Sequence, residues 1–319
     1  MLCSFNGARY LPVQLQSLLD QTRRPDELVL VDDDSTDATW SILTAFRREA
    51  EDAGIRVVLE KNEQNLGYIK NFEYAVGLAG AGLIFLCDQD DAWHVEKIAR
   101  METVFLGRPS LLLLHTDARL VDSEGADIQC GLFEALEITR DEVARLHSGA
   151  GFDVLLRRNV VTGATTAFRR DALNHAFPFP GDWVHDEWLG MVCAAKGEID
   201  CLEEKLIDYR QHGGNQIGVR RRTAVEKFAP GQRSRREHMR SVVKRWDTLA
   251  SILIESDVGM LAIHQDRLQQ RLRHAYARAN LPVAWPQRWL WVATEASSGS
   301  YGRYSFGLRS IVADLLGLD

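Results

Sequence analysis

Three carboxylates in four residues, Asp88, Asp90 and Asp91, end the apolar run 83–87. That pattern reads as a buried strand delivering acids to its carboxyl end. In an extended chain Asp88 and Asp90 lie two residues apart and point the same way. Converging carboxylates with nothing basic beside them raise each other's pKa unless a cation sits between them. Mg2+ or Mn2+ suits such a site, because hard ions take oxygen ligands and also hold substrate phosphates. In the blander reading Asp88 caps a helix starting near Trp93 and the other acids are solvated. A second acidic cluster, Asp32, Asp33, Asp34 and Asp37, follows the apolar run 28–31. Further along, His185-Asp186-Glu187 places two acids at the start of an apolar helix, where they either do chemistry or complement the helix dipole. The segment 206–215 ends a strand in Arg210, His212 and Asn215, with Gly213 and Gly214 allowing a tight loop over a ligand. Residues 159–168, including Thr162 and Gly163, alternate small and hydroxylated side chains, which suits close backbone approach or a plain edge strand.

The elements that must carry these residues follow from periodicity. Residues 1–3 read as the end of a strand, followed by a turn at Asn6-Gly7. Pro12 opens a helix with Leu11, Leu15, Leu18 and Leu19 at helical spacing. A strand at 28–31, a helix with Trp40, Leu43 and Phe46, a strand at 55–59 and a helix with Ile69, Phe72 and Val76 lead to the strand at 83–87. Beyond it, Val95, Ile98 and Met101 form a helix stripe, 111–114 is a buried strand, 133–158 is helical and 177–182 is an irregular loop. Alternating strands and helices predict an α/β, Rossmann-like, mostly parallel sheet with helices on both faces. Ligands in such sheets bind at the carboxyl ends of the strands. Both acidic clusters fall there, so one phosphate-bearing ligand could touch both. Neither GxGxxG nor GxxxxGK[ST] occurs, which argues against dinucleotide oxidoreductases and P-loop enzymes.

A composition of 45% hydrophobic and 26% charged residues is that of an ordinary globular protein. The longest uncharged apolar stretch, 76–87, is too short to span a bilayer, and no secretory leader is visible. Five cysteines without CxxC spacing argue against a disulfide framework or a zinc site. The expectation is a reduced, cytoplasmic protein. Residues 1–219 carry 21 Lys+Arg against 36 Asp+Glu, whereas 220–319 carry 17 against 9, so a boundary near Val219 separates a catalytic part from a basic, mainly helical C-terminal region. Within 220–245 stand Arg220, Arg221, Arg222, Lys227, Arg233, Arg235, Arg236, Arg240, Lys244 and Arg245. This run either docks the chain on anionic lipid, at the inner face of the cell membrane, or is a solvated helix face. Nucleic acid is not expected, because the rest of the chain is acidic. Trp285, Trp289, Trp291, Tyr301, Tyr304 and Phe306 either pack the tail helices on the catalytic part, the simpler reading, or touch the interface.

Four stretches in order, Ser4-Phe5-Asn6-Gly7, 32–37, Asp88-Gln89-Asp90-Asp91-Ala92-Trp93, and His185-Asp186 followed by Tyr209-Arg210-Gln211-His212, resemble the family 2 glycosyltransferases of GT-A fold, especially their rhamnosyltransferase-like bacterial branch. The resemblance covers residues 1 to about 220 and implies a nucleotide-binding part at about 1–122 and an acceptor part at about 123–219. It implies that Ser4, Asn6, Asp32, Asp33 and Asp88 face the nucleotide, the first acidic pair meeting base and ribose. Asp88-Gln89-Asp90 would be the DxD element, with Asp90 the direct ligand of Mg2+ or Mn2+ and His212 closing over the metal or diphosphate. Asp186 would be the general base, with Glu187 as a rival. Thr162, Gly163, Trp93, Trp188 and Arg210 would line the sugar and acceptor side. Asp34 stands where the family usually has glycine, and the opening strand is short beside those of relatives. The implied reaction moves a sugar, with inversion, from a nucleoside-diphosphate donor to a hydroxyl of a saccharide or lipid-linked acceptor in cell-surface polysaccharide synthesis. Rhamnose on dTDP leads and UDP-hexoses follow. Rival readings are a metal-dependent phosphohydrolase or nucleotidyltransferase, and a non-catalytic nucleotide-sugar or polysaccharide-binding module.

Overall fold

In a computed structural model residues 1–174, 176–213, 235–255 and 260–317 are described. Strands β1 (Leu2–Ser4), β2 (Glu27–Asp32) and β3 (Arg56–Lys61) form a parallel sheet in that order, with Leu30 between Leu2 and Leu59. The crossovers are helices α1 (Leu11–Leu19), α2 (Thr39–Asp52) and α3 (Tyr68–Leu78). Each buries the stripe expected of it: Leu11, Leu15 and Leu18 in α1, Leu43 and Phe46 in α2, Phe72 and Val76 in α3. Burying each such side chain contributes roughly 1.5–3 kcal/mol. Strand β4 (Leu83–Phe85) continues to Cys87, which bridges in parallel to Leu2. That one bridge sets Asp88 beside the end of β1, so the ends of β1, β2 and the β4 run open on a common edge.

The remainder of the catalytic part comprises β5 (Ala92–Trp93), α4 (Lys97–Gly107), β6 (Leu111–Val121), β7 (Asp127–Gly131), α5 (Leu132–Ala135), α6 (Arg140–His147), α7 (Gly151–Arg157), β8 (Thr166–Arg169), α8 (His185–Lys196) and β9 (Glu198–Arg210). The second sheet is ordered β4-β8-β6-β9-β5, with β7 on β6. Only β6 and β9 pair in parallel there; its other pairings are antiparallel. Parallel pairing therefore governs the first half, where a helix covers each crossover, and gives way where the chain returns directly.

Local differences from the sequence reading have simple causes. The expected helix near Trp93 starts at Lys97, because Ala92 and Trp93 pair with Asp208 and Ile207. Val95 accordingly lies outside the helix stripe and is exposed, while Ile98 and Met101 are buried. Residues 166–169 are an interior strand between β4 and β6, not an edge.

Tail helices α9 (Arg235–Glu255), α10 (Ala262–Ala279), α11 (Trp285–Ser297), α12 (Ser300–Tyr304) and α13 (Leu308–Leu316) follow. Trp246, Leu249, Leu253, Leu268 and Tyr304 join the same apolar core as Trp188 and Leu189, so the tail is packed on the catalytic part. Packing holds for Tyr301 and Tyr304 but not for the rest of the aromatic set. Trp285, Trp289, Trp291 and Phe306 are exposed, Trp285 by 65%. Among the described residues no helix is long and apolar enough to cross a membrane. The expected boundary near Val219, the loop residues Gly214 and Asn215, and the basic residues Arg220, Arg221, Arg222, Lys227 and Arg233 lie outside the described residues.

Candidate active site

The common edge opens into a cavity of about 1320 Å³. Its walls bring together Ser4, Asn6 and Asp33 from the first sheet, Asp88 and Asp90 after β4, Thr162 and Gly163 before β8, Asp186 and Glu187 on α8, and His212 after β9. Backbone geometry explains each placement. Asn6 has φ +48° and accepts from the Thr36 N–H through Oδ1 at 2.9 Å, which clamps the first turn onto the second. Gln89 makes a reciprocal pair with Phe5, accepting from its N–H at 2.9 Å and donating to its carbonyl at 3.0 Å. A Cβ on Gly7 would run into the end of this Gln89 side chain, so a larger residue there would displace Gln89 from Phe5.

Asp33 is buried on the cavity wall, yet its oxygens are engaged. Oδ1 accepts from Asn62 Nδ2 at 2.7 Å and the Leu66 N–H at 2.8 Å, and Oδ2 accepts from the Gly67 N–H at 2.9 Å. Asp32 is fully buried behind the wall, bonded to Ser35 and to Ser4 Oγ, and does not reach the cavity. Asp34 adopts φ +62°, a left-handed conformation that glycine takes at no steric cost, which gives a backbone reason for glycine at this turn.

The chain turns at Gln89-Asp90, so Asp88 and Asp90 reach the cavity by a bend, not by strand alternation. Burial, reinforced by Asp90 and Asp186, pushes the Asp88 carboxyl up to about 7. Asp90 Oδ2 lies 2.8 Å from His212 Nε2, and the His212 ring lies 4.8 Å from that of Tyr10. Asp91 is buried behind this pair, where Oδ1 accepts from the Arg210 N–H at 2.9 Å and Oδ2 has no partner among the described residues. Asp88, Asp90 and His212 offer the oxygen and imidazole donors a hard divalent cation takes, but their ligand atoms are not gathered into one cluster here, where His212 Nε2 is engaged by Asp90; among the described residues the gathered set is His147, Asp200 and Cys201.

At α8 the Asp186 Oδ2 accepts from the Gly163 N–H at 2.9 Å and Oδ1 from the Glu187 N–H at 2.7 Å. Burial outweighs these bonds and pushes the carboxyl up to about 6. Glu187 is raised by burial as well, but it is ion-paired to Arg245 of α9 at 2.6 Å. The two acids are thus distinguished: Asp186 has no cationic partner among the described residues, whereas Glu187 ties down the tail. A Cβ on Gly163 would stand 2.9 Å from His185 Nε2, so Gly163 leaves room for His185 and Asp186.

Several expected site residues stand elsewhere. Trp93 is in the core under the Lys97 ammonium, which lies 3.9 Å from its ring centre. Trp188 is wholly buried and donates to the Ala176 carbonyl at 2.9 Å. Neither lines the cavity, because large aromatics on the inner face of a strand or helix are drawn into the core. Arg210 sits behind the acidic turn, its Nε donating to the Asp90 carbonyl at 2.8 Å and its Nη1 to the Asp122 and Ser123 carbonyls at 3.2 Å. It braces the acidic turn and does not line the cavity.

Sequence reasoning gave no role to two residues of the cavity wall, Gln89 and His185, nor to Lys97, which is buried and does not line it. Gln89 passes as the variable middle of a DxD element. Lys97 is fully buried, donates to the Ala164 carbonyl at 2.7 Å, and is drawn down to about 8 by burial. His185 stacks on Phe72 at 4.0 Å, lines the cavity, and both its ring nitrogens are without hydrogen bonds among the described residues. Burial lowers it to about 3, so it faces the cavity as neutral imidazole. Its place beside Asp186 in the chain was the available signal.

Residues 1–124 match the model of the family described as glycosyl transferase family 2. An uncharacterized glycosyltransferase of Nostoc sp. is 28% identical over 221 residues, covering 67% of this chain and 65% of the relative, so the chain spans just under two thirds of that relative's length. An Escherichia coli UDP-Glc:alpha-D-GlcNAc-diphosphoundecaprenol beta-1,3-glucosyltransferase, WfaP, is 23% identical over 67% of this chain and 77% of its own. The crystal structure of S. aureus TarS 1-349 in complex with UDP-GlcNAc superposes with a TM-score of 0.58 at 16% identity, covering 98% of this chain and 82% of that one, a likeness of fold.

Proposed function

We propose, from the family 2 glycosyl transferase domain that the chain carries in residues 1–124, that the protein is an inverting glycosyltransferase that moves a sugar from a nucleoside-diphosphate donor to a hydroxyl of a saccharide or lipid-linked acceptor in cell-surface polysaccharide synthesis. The observation that carries this reading is the convergence on one cavity of a turn of nucleotide-side residues, a paired-carboxylate element and a separate carboxylate that has no cationic partner among the described residues. Ser4, Asn6 and Asp33 bound the nucleotide end. A Mg2+ or Mn2+ ion held by Asp88, Asp90 and His212 would supply positive charge to the departing diphosphate. Asp186 takes the proton of the acceptor hydroxyl during attack; its raised pKa brings it close to a working general base. Its bonds from Gly163 and Glu187 fix the direction of the carboxylate. Glu187, held by Arg245, orients the helix start and is not the base.

For the donor we propose rhamnose on dTDP, on the motif resemblance; relatives named for UDP-Glc and UDP-GlcNAc make a uridine donor the alternative. The fold's exposed Trp285, Trp289 and Leu290 support peripheral contact with a membrane surface, where a lipid-linked acceptor resides.

Calorimetric titration with UDP and dTDP, with and without Mn2+, on wild type and Asp90→Ala tests the reading. Metal-dependent binding of one nucleotide, lost in Asp90→Ala, is expected, and the preferred base identifies the donor class. Folded protein that binds neither nucleotide would overturn it. Free sugar formed without an acceptor-linked product would turn the reading to hydrolysis.

A further inference from the structure

Behind Glu187 a second cavity, of about 170 Å³, opens between α7, α8 and the tail helices α9 and α10. It shares Asn159 and Glu187 with the large cavity, so the two adjoin at the residue next to Asp186. Arg157, Arg245 and Arg271 bound it, against Glu187 as the one carboxylate in its lining. The fourth arginine there, Arg158, is already neutralised by Glu142 through bonds of 2.7 and 2.8 Å.

Arg271 is 8% exposed, and among the described residues it has no carboxylate partner. Its Nε donates to the Leu156 carbonyl at 2.9 Å, and its guanidinium lies 4.4 Å from the Trp246 ring centre. Arg157 donates through Nε to the Ser305 carbonyl at 3.0 Å. Arg245 gives Nη2 to Glu187, while its buried Nε has no partner among the described residues and its guanidinium lies 4.3 Å from the Trp183 ring centre. A buried cation without a counter-charge is costly. Here three guanidiniums face one carboxylate in an aromatic-walled space, and burial together with Arg278 and Arg245 draws Arg271 down to about 9. The planar fork of a guanidinium matches phosphoryl oxygens with two parallel hydrogen bonds. Inorganic cations and neutral sugars are unsuited to such a lining.

We propose that this cavity is a subsite for a phosphoryl group of the acceptor, held by Arg157, Arg245 and Arg271 on the far side of Glu187 from the nucleotide. Calling the bound group the acceptor's rests on the glycosyltransferase reading; binding of the phosphoryl group does not. Two sources share this chemistry, a lipid diphosphate carrying the acceptor saccharide and a phosphodiester-linked polymer.

Inorganic pyrophosphate in EDTA, titrated into wild type, Arg271→Gln and Arg157→Gln, tests the subsite. The expected result is binding by wild type weakened about tenfold or more in each variant, with Mn2+-dependent nucleotide binding kept within about twofold. Arg157 is only half-buried, so its variant tests the site even where Arg271→Gln fails to fold. Competition by farnesyl diphosphate assigns the lipid source, and competition by glycerophosphoglycerol assigns the polymer. No pyrophosphate binding by wild type, or equal binding by Arg157→Gln, overturns the subsite; pyrophosphate binding that neither probe displaces overturns its assignment to the acceptor. Nucleotide binding lost throughout, with the pyrophosphate results intact, would instead count against the glycosyltransferase reading.

Discussion

Asp33 and Asp186 stand on the same cavity, yet they differ in what surrounds them. Three N–H donors converge on Asp33 and lock the loop that enters α3. Asp186 receives two, and burial still pushes it up to about 6. Asp88, on the same wall, has a carboxyl that accepts from no donor among the described residues and is pushed up to about 7. Acids that the backbone satisfies build the edge, whereas acids left short of positive charge are the ones available to a ligand.

The sharpest break of this comparison is Asp186→Asn. Loss of the base should lower kcat by about 10²–10⁴-fold while nucleotide affinity persists. Glu187→Gln should act mainly by loosening α9, with a smaller loss in kcat; equal losses would exchange the two roles. Asp33→Ala should instead cost about 2–4 kcal/mol of folding stability, read as a lower urea midpoint, because the Leu66 and Gly67 N–H groups lose their acceptor.

The pH dependence separates the two classes further. With Asp186 protonated below about 6, kcat/KM should fall about tenfold per unit on the acid side and level off above it. For stability the sign is opposite to that of an ordinary paired carboxylate. Asp88 and Asp186 bind protons more tightly folded than unfolded, so their favourable contribution is present below about 4 and is lost as pH rises through about 6 to 7. Metal-free Asp88→Asn should therefore melt roughly 2–4 °C above wild type at pH 8 and level with it at pH 4. The smallest effect concerns the tail: Trp289→Ala should weaken sedimentation with anionic vesicles by roughly fivefold. No change there would remove the exposed aromatics from the membrane proposal.

Much of the first half was legible because its signals are local. Apolar runs ending in acids marked β2 and β4, and helix stripes such as Leu11, Leu15 and Leu18 marked the crossovers. The basic run was legible as a charge excess but not in its use: Lys244 and Arg245 pair with Asp182 and Glu187 and so face the catalytic part. Trp93, Trp188 and Arg210 were read toward the cavity because they adjoin motif acids in the chain. A strand alternates successive residues between its faces and a helix rotates them around its axis, so closeness in the chain does not set a common face, and burial then claims the aromatic.

By itself, the sequence determined which residue types reach the carboxyl edge, since strand ends, turns and helix starts depend on near neighbours in the chain. Tertiary structure alone decided which acids stay under-compensated, that Arg245 holds Glu187 instead of facing solvent, and that Arg271 is buried with no counter-charge among the described residues. Those are sums over groups as far as 122 residues apart, as in the contact of His212 with Asp90, and electrostatic and packing energies depend on distance in space, not on distance along the chain.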